Sequence, residues 1–208
     1  MTARRLFDVT AAASGLVLAA LPLALAALAV RLAIGRPVIY RQVRVGRFGA
    51  PFLLYKLRTM SGAGGPLVTT DGDARVGRIG RILRRSKLDE VPQLWNVLKG
   101  EMSIIGPRPE VPRFVAHYTR AERAILDVTP GLASLAQLVY PHEAALLRDR
   151  ADPEDAYVRE LMPLKIQVDL DYERRRTVWS DCRLLLEVAL LVLGKSFRID
   201  PVRTPRPV

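Results

Sequence analysis

The longest uninterrupted hydrophobic stretch of the chain lies near its N-terminus. Residues 9–30 carry no charged side chain and consist of Ala, Leu and Val with a few small polar residues. A helix of this length can cross the roughly 30 Å hydrocarbon core of a bilayer. The stretch therefore predicts a membrane-inserted helix. A cleaved signal peptide fits less well, because the apolar run is too long and no small-x-small cleavage site follows it.

Two features of this stretch bear on how it meets the membrane. Pro22 lies in its middle, where the missing amide hydrogen removes a backbone hydrogen bond and bends a helix. Basic residues, which favour the cytoplasmic side, flank both ends. They are Arg4 and Arg5 before the stretch and Arg31, Arg36, Arg41, Arg44 and Arg47 after it. The residues alone leave two topologies open: a spanning helix with a tolerated proline, and a helix–break–helix that enters one leaflet and returns.

The rest of the chain consists of short segments with strand or helix periodicity. Residues 38–45 and 51–60 alternate well enough to predict two strands, and the turn residues 46–49 between them predict a β-hairpin. Apolar and basic residues then recur at helical spacing in residues 76–85. The last apolar segment, residues 180–193, is too short to span a bilayer and predicts a helix that lies at the membrane interface or against the membrane segment.

The net charge narrows the choice of partners. The 208 residues carry a formal net charge of +11, which implies anionic partners: nucleic acid, anionic lipid or a phosphorylated substrate. Nucleic acid is disfavoured, because there is no zinc-finger spacing or RNA-binding aromatic signature and only 6% of the residues are aromatic. One cysteine excludes an internal disulfide. Because the two histidines stand apart, any metal should be a hard ion held by oxygen atoms.

The stretch that carries the chemistry is SKLDEVPQLWNVLKGEMSIIGPRPE, residues 86–110. Two adjacent carboxylates, Asp89 and Glu90, precede Pro92. Proline favours the first turn of a helix, and Gly100 predicts the end of this one. The acids then lie at the positive end of this helix, where an anion such as a phosphoryl group is stabilised. The alternative is that the acids only complete a capping box with the preceding serine. The arginines on either side do not follow from capping and favour a phosphate site.

This stretch closely resembles the signature of the bacterial sugar transferases that are monotopic phosphoglycosyl transferases. The resemblance extends from Arg4 to about Leu193. It implies an enzyme that moves a phospho-sugar from a UDP-sugar to polyprenol (undecaprenyl) phosphate and releases UMP, as the first membrane step of glycoconjugate or polysaccharide synthesis. It also implies a re-entrant helix with both ends cytoplasmic, and a catalytic domain on the cytoplasmic face of the bacterial inner membrane, in contact with anionic headgroups.

The resemblance also assigns roles to residues. Asp89 would be the nucleophile that attacks the donor phosphate next to the sugar, and Glu90 would hold Mg²⁺ against the diphosphate. Four cationic side chains would bind the substrate phosphates. They are Arg84, Arg108, Lys56 and Arg58. Asp169, in a later acidic and aromatic segment, would be a further acid of the site; its alternative role is a salt bridge to one of the arginines that follow it.

Pattern and resemblance together predict a mixed α/β (α+β) protein of three parts. Residues 1–36 form the re-entrant membrane segment, and residues 37–196 form a small catalytic domain with a β-hairpin and several short amphipathic interfacial helices. Residues 197–208, with three prolines and scattered arginines, form an extended tail.

The sequence departs from the family pattern at two places. Leu21 stands before the break proline where the family usually has serine, and Ala133-Ser134 replaces the usual Thr-Gly. Two other function classes stay open: a membrane phosphatase or nucleotide-sugar pyrophosphatase that uses the same aspartate with water, and a non-catalytic scaffold that binds anionic lipid. The sugar, the pathway and the oligomeric state, a homodimer included, are left open by the sequence.

Overall fold

Short helices and strands follow one long N-terminal helix. The structure is a computed structural model that describes residues 2–62, 64–70 and 72–192. Its α-helices are α1 (Ala3–Ala33), α2 (Arg78–Arg85), α3 (Gln93–Lys99), α4 (Pro112–Val115), α5 (Leu135–Val139), α6 (Glu143–Leu146), α7 (Pro153–Ala156), α8 (Met162–Arg175) and α9 (Val178–Val192). Its strands are β1 (Ile39–Val45), β2 (Pro51–Leu57), β3 (Ser103–Ile105) and β4 (Gly131–Ala133). Three 3₁₀ turns, Arg47–Gly49, Leu88–Glu90 and Glu122–Asp127, and a π-helical turn, Tyr157–Leu161, complete the described elements. The predicted mixed α/β class is confirmed, and the predicted tail lies outside the described residues.

The predicted β-hairpin is present. Strands β1 and β2 pair antiparallel, with Val43 opposite Leu53. The outer edge of β2 is covered by a side chain of α3: the Asn96 amide donates to the Leu53 carbonyl oxygen at 2.7 Å and accepts from the Tyr55 amide at 3.2 Å. Since these bonds replace those of a further strand, α3 is fixed against the hairpin.

The second sheet is a short parallel pair, β3 and β4, with Ile105 opposite Ala133. The backbones come very close just after β3, where a Cβ placed on Gly131 would lie 2.0 Å from the Gly106 nitrogen. Only glycine permits this approach. It allows the Gly131 amide to donate to the Pro107 carbonyl oxygen at 2.8 Å, which holds the Pro-Arg-Pro turn that follows β3.

The apolar N-terminal segment forms one continuous α-helix, α1, with Pro22 inside it. The predicted break at Pro22 is therefore not confirmed. With 31 residues α1 is long and apolar enough to cross a membrane, and only 11% of its 18-residue apolar window is buried inside the protein. Its middle is the most exposed part; Leu18, for example, is 81% exposed.

Helix α1 contacts the rest of the protein near both of its ends. In its first half Ala12 packs into a hydrophobic core with Leu94 of α3. In its second half Val30 packs into another core with Leu57 of β2 and Leu83 of α2. The remainder of the fold thus lies beside both halves of the helix.

Buried polar contacts also attach the first turns of α1. The Asp8 carboxylate accepts hydrogen bonds from the Ser103 hydroxyl and the Ile104 amide, each at 2.9 Å. The Arg5 guanidinium donates to the Val97 and Leu98 carbonyl oxygens at the C-terminus of α3. Because C-terminal helix carbonyls have no partner within their own helix, a cation there is stabilising. These bonds fix α1 relative to α3.

Helix α9 packs onto the same core as the first half of α1, through Leu184. It begins at Val178, two residues before the predicted start, and it leaves Val178, Trp179 and Leu186 exposed. An exposed apolar edge that includes a tryptophan is typical of a helix at a membrane interface.

We expect Asp8→Ala to lower the free energy of unfolding by about 1–3 kcal/mol, because two buried donors lose their acceptor. Thermal unfolding of the purified protein in one detergent measures this. The matched control is Thr10→Ala, since the Thr10 hydroxyl is exposed and donates only to the Leu6 carbonyl oxygen within α1. Equal unfolding temperatures for Asp8→Ala and Thr10→Ala would show that the buried carboxylate does not hold the helix.

Candidate active site

The two adjacent acids, Asp89 and Glu90, lie in the 3₁₀ turn directly before α3. The turn begins after Lys87, which adopts a left-handed conformation with φ of +57°. The expected capping box does not form, since the Ser86 hydroxyl donates instead to the Leu83 carbonyl oxygen at 3.1 Å. The capping interpretation of the acids is therefore wrong, and their surroundings must be explained by other contacts.

Glu90 forms a two-point ion pair with Arg108 of the Pro-Arg-Pro turn. Both oxygen-to-nitrogen distances are 3.1 Å, and the Lys87 amine lies 3.4 Å from the same carboxylate. Burial alone would raise the pKa of Glu90, but the charges of Arg108 and Lys87 overcome it and lower the pKa to about 2. Side-chain charges, rather than the end of the seven-residue helix α3, thus keep Glu90 ionised.

Asp89 lies in a different environment, although it is the next residue. It is 5% exposed, and its Oδ1 atom is buried without a hydrogen-bond partner in the part of the chain that the structure describes. Burial and the neighbouring charge of Glu90 raise its pKa to about 6, against the opposing charges of Lys56, Lys87 and Arg84. At neutral pH Asp89 is therefore mostly a poorly solvated carboxylate. Two acids whose pKa values are pushed apart in this way are typical of a catalytic site.

Lys56 and Arg84 supply positive charge next to the acids. The Arg84 guanidinium donates to the Thr59 hydroxyl at 2.9 Å. Burial, together with the charges of Arg108 and Arg84, lowers the pKa of Lys56 to about 8. A lysine whose pKa is lowered by neighbouring cations is stabilised when an anion binds. The structure thus brings Lys56, Arg84 and Arg108 to the two acids.

Arg58 is not brought to this group. Its guanidinium donates to the carbonyl oxygens of Arg36 and Met60, at 2.8 and 2.9 Å, and to that of Gly62 at 3.3 Å. Strand β2 ends at Leu57, and although the Arg58 amide still donates to the Val38 carbonyl oxygen, its side chain bonds to backbone outside the strand.

A cavity of about 800 Å³ opens beside the acids. Its cationic lining residues are Arg44, Lys56, Arg81, Arg84, Arg85, Lys87, Arg108 and Lys165, and its acidic ones are Asp73, Glu90, Glu110 and Glu143. Asp89 is not among the lining residues, so a ligand in the cavity meets Glu90 first. The size and the excess of positive charge suit a nucleotide-sized anion.

Arg44 and Glu110 support the turn that carries Arg108. Arg44 donates to the Pro109 carbonyl oxygen at 2.8 Å and lies 3.5 Å from the Glu110 carboxylate. Both residues line the cavity. The sequence indicated Arg44 only as a basic flank of the membrane segment and gave no signal for Glu110 beyond its place next to the Pro-Arg-Pro turn.

Three further residues of the site come from the C-terminal half and were not predicted. The Tyr157 hydroxyl hydrogen-bonds to Glu110, and the Lys165 amine donates to Glu143 at 2.6 Å and to the Tyr157 hydroxyl at 3.2 Å. Tyr157 begins the π-helical turn between α7 and α8. Such turns are frequent at functional sites, but the sequence does not reveal them in advance.

Asp169 does not line the large cavity but lines a small one with Arg108, Glu110 and Lys165. Its carboxylate is buried and accepts from the Ala136 amide in the first turn of α5, at 2.9 Å. The predicted alternative, a salt bridge to a following arginine, is wrong: Arg174 pairs with Asp171, and Arg176 pairs with Asp181. Burial raises the pKa of Asp169 to about 7, although the bond from Ala136 acts in the opposite direction. Asp169 thus stabilises the start of α5.

The Ala133-Ser134 departure is accommodated at the same helix start. Ser134 is the N-cap of α5: its hydroxyl accepts from the Gln137 amide, and the Gln137 side chain accepts from the Ser134 amide, both at 3.2 Å. Ala133 remains in β4, where its carbonyl oxygen accepts from the Gly106 amide. The serine therefore adds a reciprocal cap at this position.

Within residues 2–62, 64–70 and 72–192, no group of three or more His, Cys, Asp or Glu side chains is arranged to hold a metal ion.

Comparison with known proteins shows that the chain is similar to bacterial sugar transferases. A family model described as bacterial sugar transferase matches residues 1–195. A UDP-glucose:undecaprenyl-phosphate glucose-1-phosphate transferase of Caulobacter vibrioides is 39% identical over 197 residues, which cover 88% of this chain and 67% of the relative. A protein of the same name from Xanthomonas campestris pv. campestris is 38% identical over 184 residues, covering 84% of this chain and 36% of the relative.

A third relative carries a different sugar in its name. The UDP-N-acetylgalactosamine-undecaprenyl-phosphate N-acetylgalactosaminephosphotransferase of Aeromonas hydrophila is 35% identical over 179 residues, covering 83% of this chain and 39% of the relative. The chain thus spans from 36% to 67% of the length of these relatives.

We expect the stability of the protein to fall as pH rises between about 4 and 7, and Asp169→Asn to reduce this dependence. The pKa of Asp169 is about 7 in the folded state against 3.8 for the unperturbed group, so folding favours the protonated acid. Its stabilising effect is present below about pH 4 and is lost as pH rises through 7. Unfolding temperatures of both proteins across this range measure the effect. Asp171→Asn, at an exposed acid of α8, is the control that should follow the wild type; parallel curves for all three proteins would contradict the assignment.

Proposed function

This chain belongs to the bacterial sugar transferase family, and we propose that it transfers a phospho-sugar from a UDP-sugar to polyprenol phosphate, releasing UMP. The observation that carries the proposal is the pair of acids with separated pKa values, Asp89 and Glu90, beside a basic cavity of nucleotide size. The relatives named above use UDP-glucose or UDP-N-acetylgalactosamine by their names, so the donor for this chain is one of a small group of UDP-sugars.

We assign the attack to Asp89. One carboxylate oxygen forms a bond to the phosphorus next to the sugar, and the bond from that phosphorus to the bridging oxygen breaks. UMP leaves with the electron pair, and a phospho-sugar stays on the aspartate. An oxygen of polyprenol phosphate then attacks the same phosphorus, which releases the Asp89 carboxylate and yields a polyprenyl diphosphate sugar. A pKa of about 6 keeps the nucleophile ionised at neutral pH, while its burial leaves it weakly solvated and reactive.

The cationic side chains bind the phosphates and hold them against Asp89. Burial lowers the pKa values of both Lys56 and Arg84, and the charges of Arg108 and Arg84 lower that of Lys56 further, so a diphosphate beside them would stabilise their charged forms. Arg108 is committed to Glu90 but presents a planar guanidinium at the cavity wall, where it can contact phosphate oxygens as well. Positive charge placed where negative charge develops is the main source of catalysis in phosphoryl transfer.

We propose that Glu90 is the protein ligand of Mg²⁺. Its pKa of about 2 leaves it ionised, as a ligand must be, and it lines the cavity. Both of its oxygens accept hydrogen bonds from Arg108, so a bound metal would replace part of this ion pair. Magnesium is usually held by one or two carboxylates together with substrate phosphates, and the acids present fit that pattern. When bound, the metal would neutralise charge on the diphosphate.

We further propose that α1 anchors the protein in the membrane as a re-entrant helix that bends at Pro22 within the bilayer, with the rest of the fold on the cytoplasmic face. The support is that the fold packs beside both halves of α1 while the middle of the helix is exposed. A water-soluble domain that touches both ends of a helix requires both ends on one side of the bilayer. The basic residues at both ends and the apolar edge of α9 agree with this placement.

The function is tested by UMP release from a panel of UDP-sugars with Mg²⁺, with and without polyprenol phosphate. We expect sustained release that needs the lipid, with no more than about one UMP per enzyme without it. Asp89→Asn should lower turnover more than about a thousandfold, because asparagine keeps the shape but not the nucleophile. Asp171→Asn, at an exposed acid outside the site, is the control and should retain activity. Sustained release without lipid would indicate a hydrolase, and no release from any donor would indicate a lipid-binding scaffold.

The topology is tested by single cysteines in a Cys182→Ser background, since Cys182 is the only cysteine of the chain. Ala3→Cys and Ala33→Cys mark the two ends of α1, and Leu18→Cys marks its exposed middle. We expect a membrane-impermeant maleimide to label neither end in intact spheroplasts and both ends after permeabilisation, with the middle unlabelled throughout. Labelling of one end in intact spheroplasts would establish a spanning helix instead.

A further inference from the structure

Gln93, the first residue of α3, is a buried amide without a partner. It is 1% exposed, and neither its Oε1 nor its Nε2 atom makes a hydrogen bond within the described residues. Asn96, on the same helix, is the natural comparison: it is 0% exposed, and its amide bonds to Leu53, Tyr55 and Glu101. Buried polar groups are almost always paired, because an unpaired one costs the free energy of its lost hydration. Both side-chain polar atoms of Asn96 thus have hydrogen-bond partners, whereas those of Gln93 have none among the described residues.

The unpaired amide lies one helical turn after the candidate nucleophile. The intervening residues Val91 and Pro92 both have right-handed helical φ and ψ angles, and the Leu94 amide bonds to the Val91 carbonyl oxygen. Asp89 and Gln93 are four residues apart on this path, which passes from the 3₁₀ turn into α3. The Oδ1 atom of Asp89 is a buried acceptor that also has no hydrogen-bond partner among the described residues. A buried donor and a buried acceptor, both without a partner among the described residues, thus lie four residues apart in the chain.

Packing does not require an amide at this position. The neighbouring residues Leu94 and Val97 belong to a hydrophobic core, and a leucine has nearly the volume of glutamine. An apolar side chain would remove the unsatisfied groups without leaving a void. A residue that weakens the fold where a simpler one would serve points to a functional role.

We propose that Gln93 is a positioning residue that holds Asp89 for attack, an inference that rests on the proposed function. The Nε2 group of Gln93 donates a hydrogen bond to Oδ1 of Asp89, directly after a side-chain rotation or through one buried water, and Oδ2 is left as the attacking oxygen. A neutral donor fixes the carboxylate without the strong charge neutralisation that a lysine or arginine would cause, so the nucleophile keeps its reactivity.

The same bond serves both halves of the reaction. After Oδ2 has bonded to phosphorus, Oδ1 is the carbonyl oxygen of the aspartyl phosphate and still accepts from Gln93. When the lipid phosphate attacks and the bond from Oδ2 to phosphorus breaks, the returning negative charge is shared with Oδ1. A donor already in place stabilises that charge as it develops.

The test compares Gln93→Leu with the matched control Asn96→Leu, using the most active UDP-sugar of the panel. For Gln93→Leu we expect an unfolding temperature equal to or above that of the wild type. We expect its single-turnover rate of UMP release to fall about 10- to 100-fold, the usual effect of losing a hydrogen bond to a charged group. The KM for the UDP-sugar should stay within about twofold. For Asn96→Leu we expect a lower unfolding temperature, because its three hydrogen bonds to Leu53, Tyr55 and Glu101 are lost.

A wild-type single-turnover rate for Gln93→Leu would overturn the proposal. So would a lower unfolding temperature with an unchanged rate per folded enzyme, because the amide would then be structural. Should Gln93→Leu fail to fold, Gln93→Met is the second apolar variant, and the same two outcomes apply to it. Absence of UMP release by the wild type itself from every donor would instead refute the proposed function, and the role of Gln93 with it.

Discussion

The two-point ion pair between Glu90 and Arg108 is the interaction on which the site depends. It joins the 3₁₀ turn before α3 to the Pro-Arg-Pro turn after β3, two segments that no backbone hydrogen bond of the described residues connects. It also sets the charges of the two acids, because Arg108 keeps Glu90 ionised and ionised Glu90 raises the pKa of Asp89. A neutral residue at 108 would therefore change the reactivity of an aspartate that it does not touch.

The contacts around this ion pair explain why it stays in place. Arg44 and Glu110 hold the turn that carries Arg108, and the glycine contact between β3 and β4 fixes where that turn begins. On the other side, Asn96 holds α3 to the strand that carries Lys56. Each support is a specific polar contact or close backbone approach, so the geometry of the site is rigid where charge must be placed accurately.

Local sequence signals predicted the local parts of this arrangement. The β-hairpin, the end of α3 at Gly100 and the proximity of Arg84 to the acids follow from alternation, glycine chemistry and helical spacing. The second strand was predicted over residues 51–60 but ends at Leu57, and Arg58 bonds to the carbonyl oxygens of Arg36, Met60 and Gly62. The contributions of Tyr157 and Lys165 could not be predicted, because they depend on contacts with Glu110 and Glu143, which are distant in sequence. The partner of Asp169 is likewise a backbone amide distant in sequence, which no local pattern reveals.

The docking of α1 has a consequence for how the protein can be made and handled. Ala12 and Val30 supply buried surface to two separate hydrophobic cores, and Asp8 satisfies buried donors beside β3. A membrane helix that only tethers an enzyme can be cut away to leave a soluble domain. Here, removal of α1 would expose both cores and leave the Ser103 hydroxyl and the Ile104 amide without their acceptor. Insertion of the helix and folding of the rest are therefore one process. A water-soluble fragment that starts after α1 would lack part of its own interior.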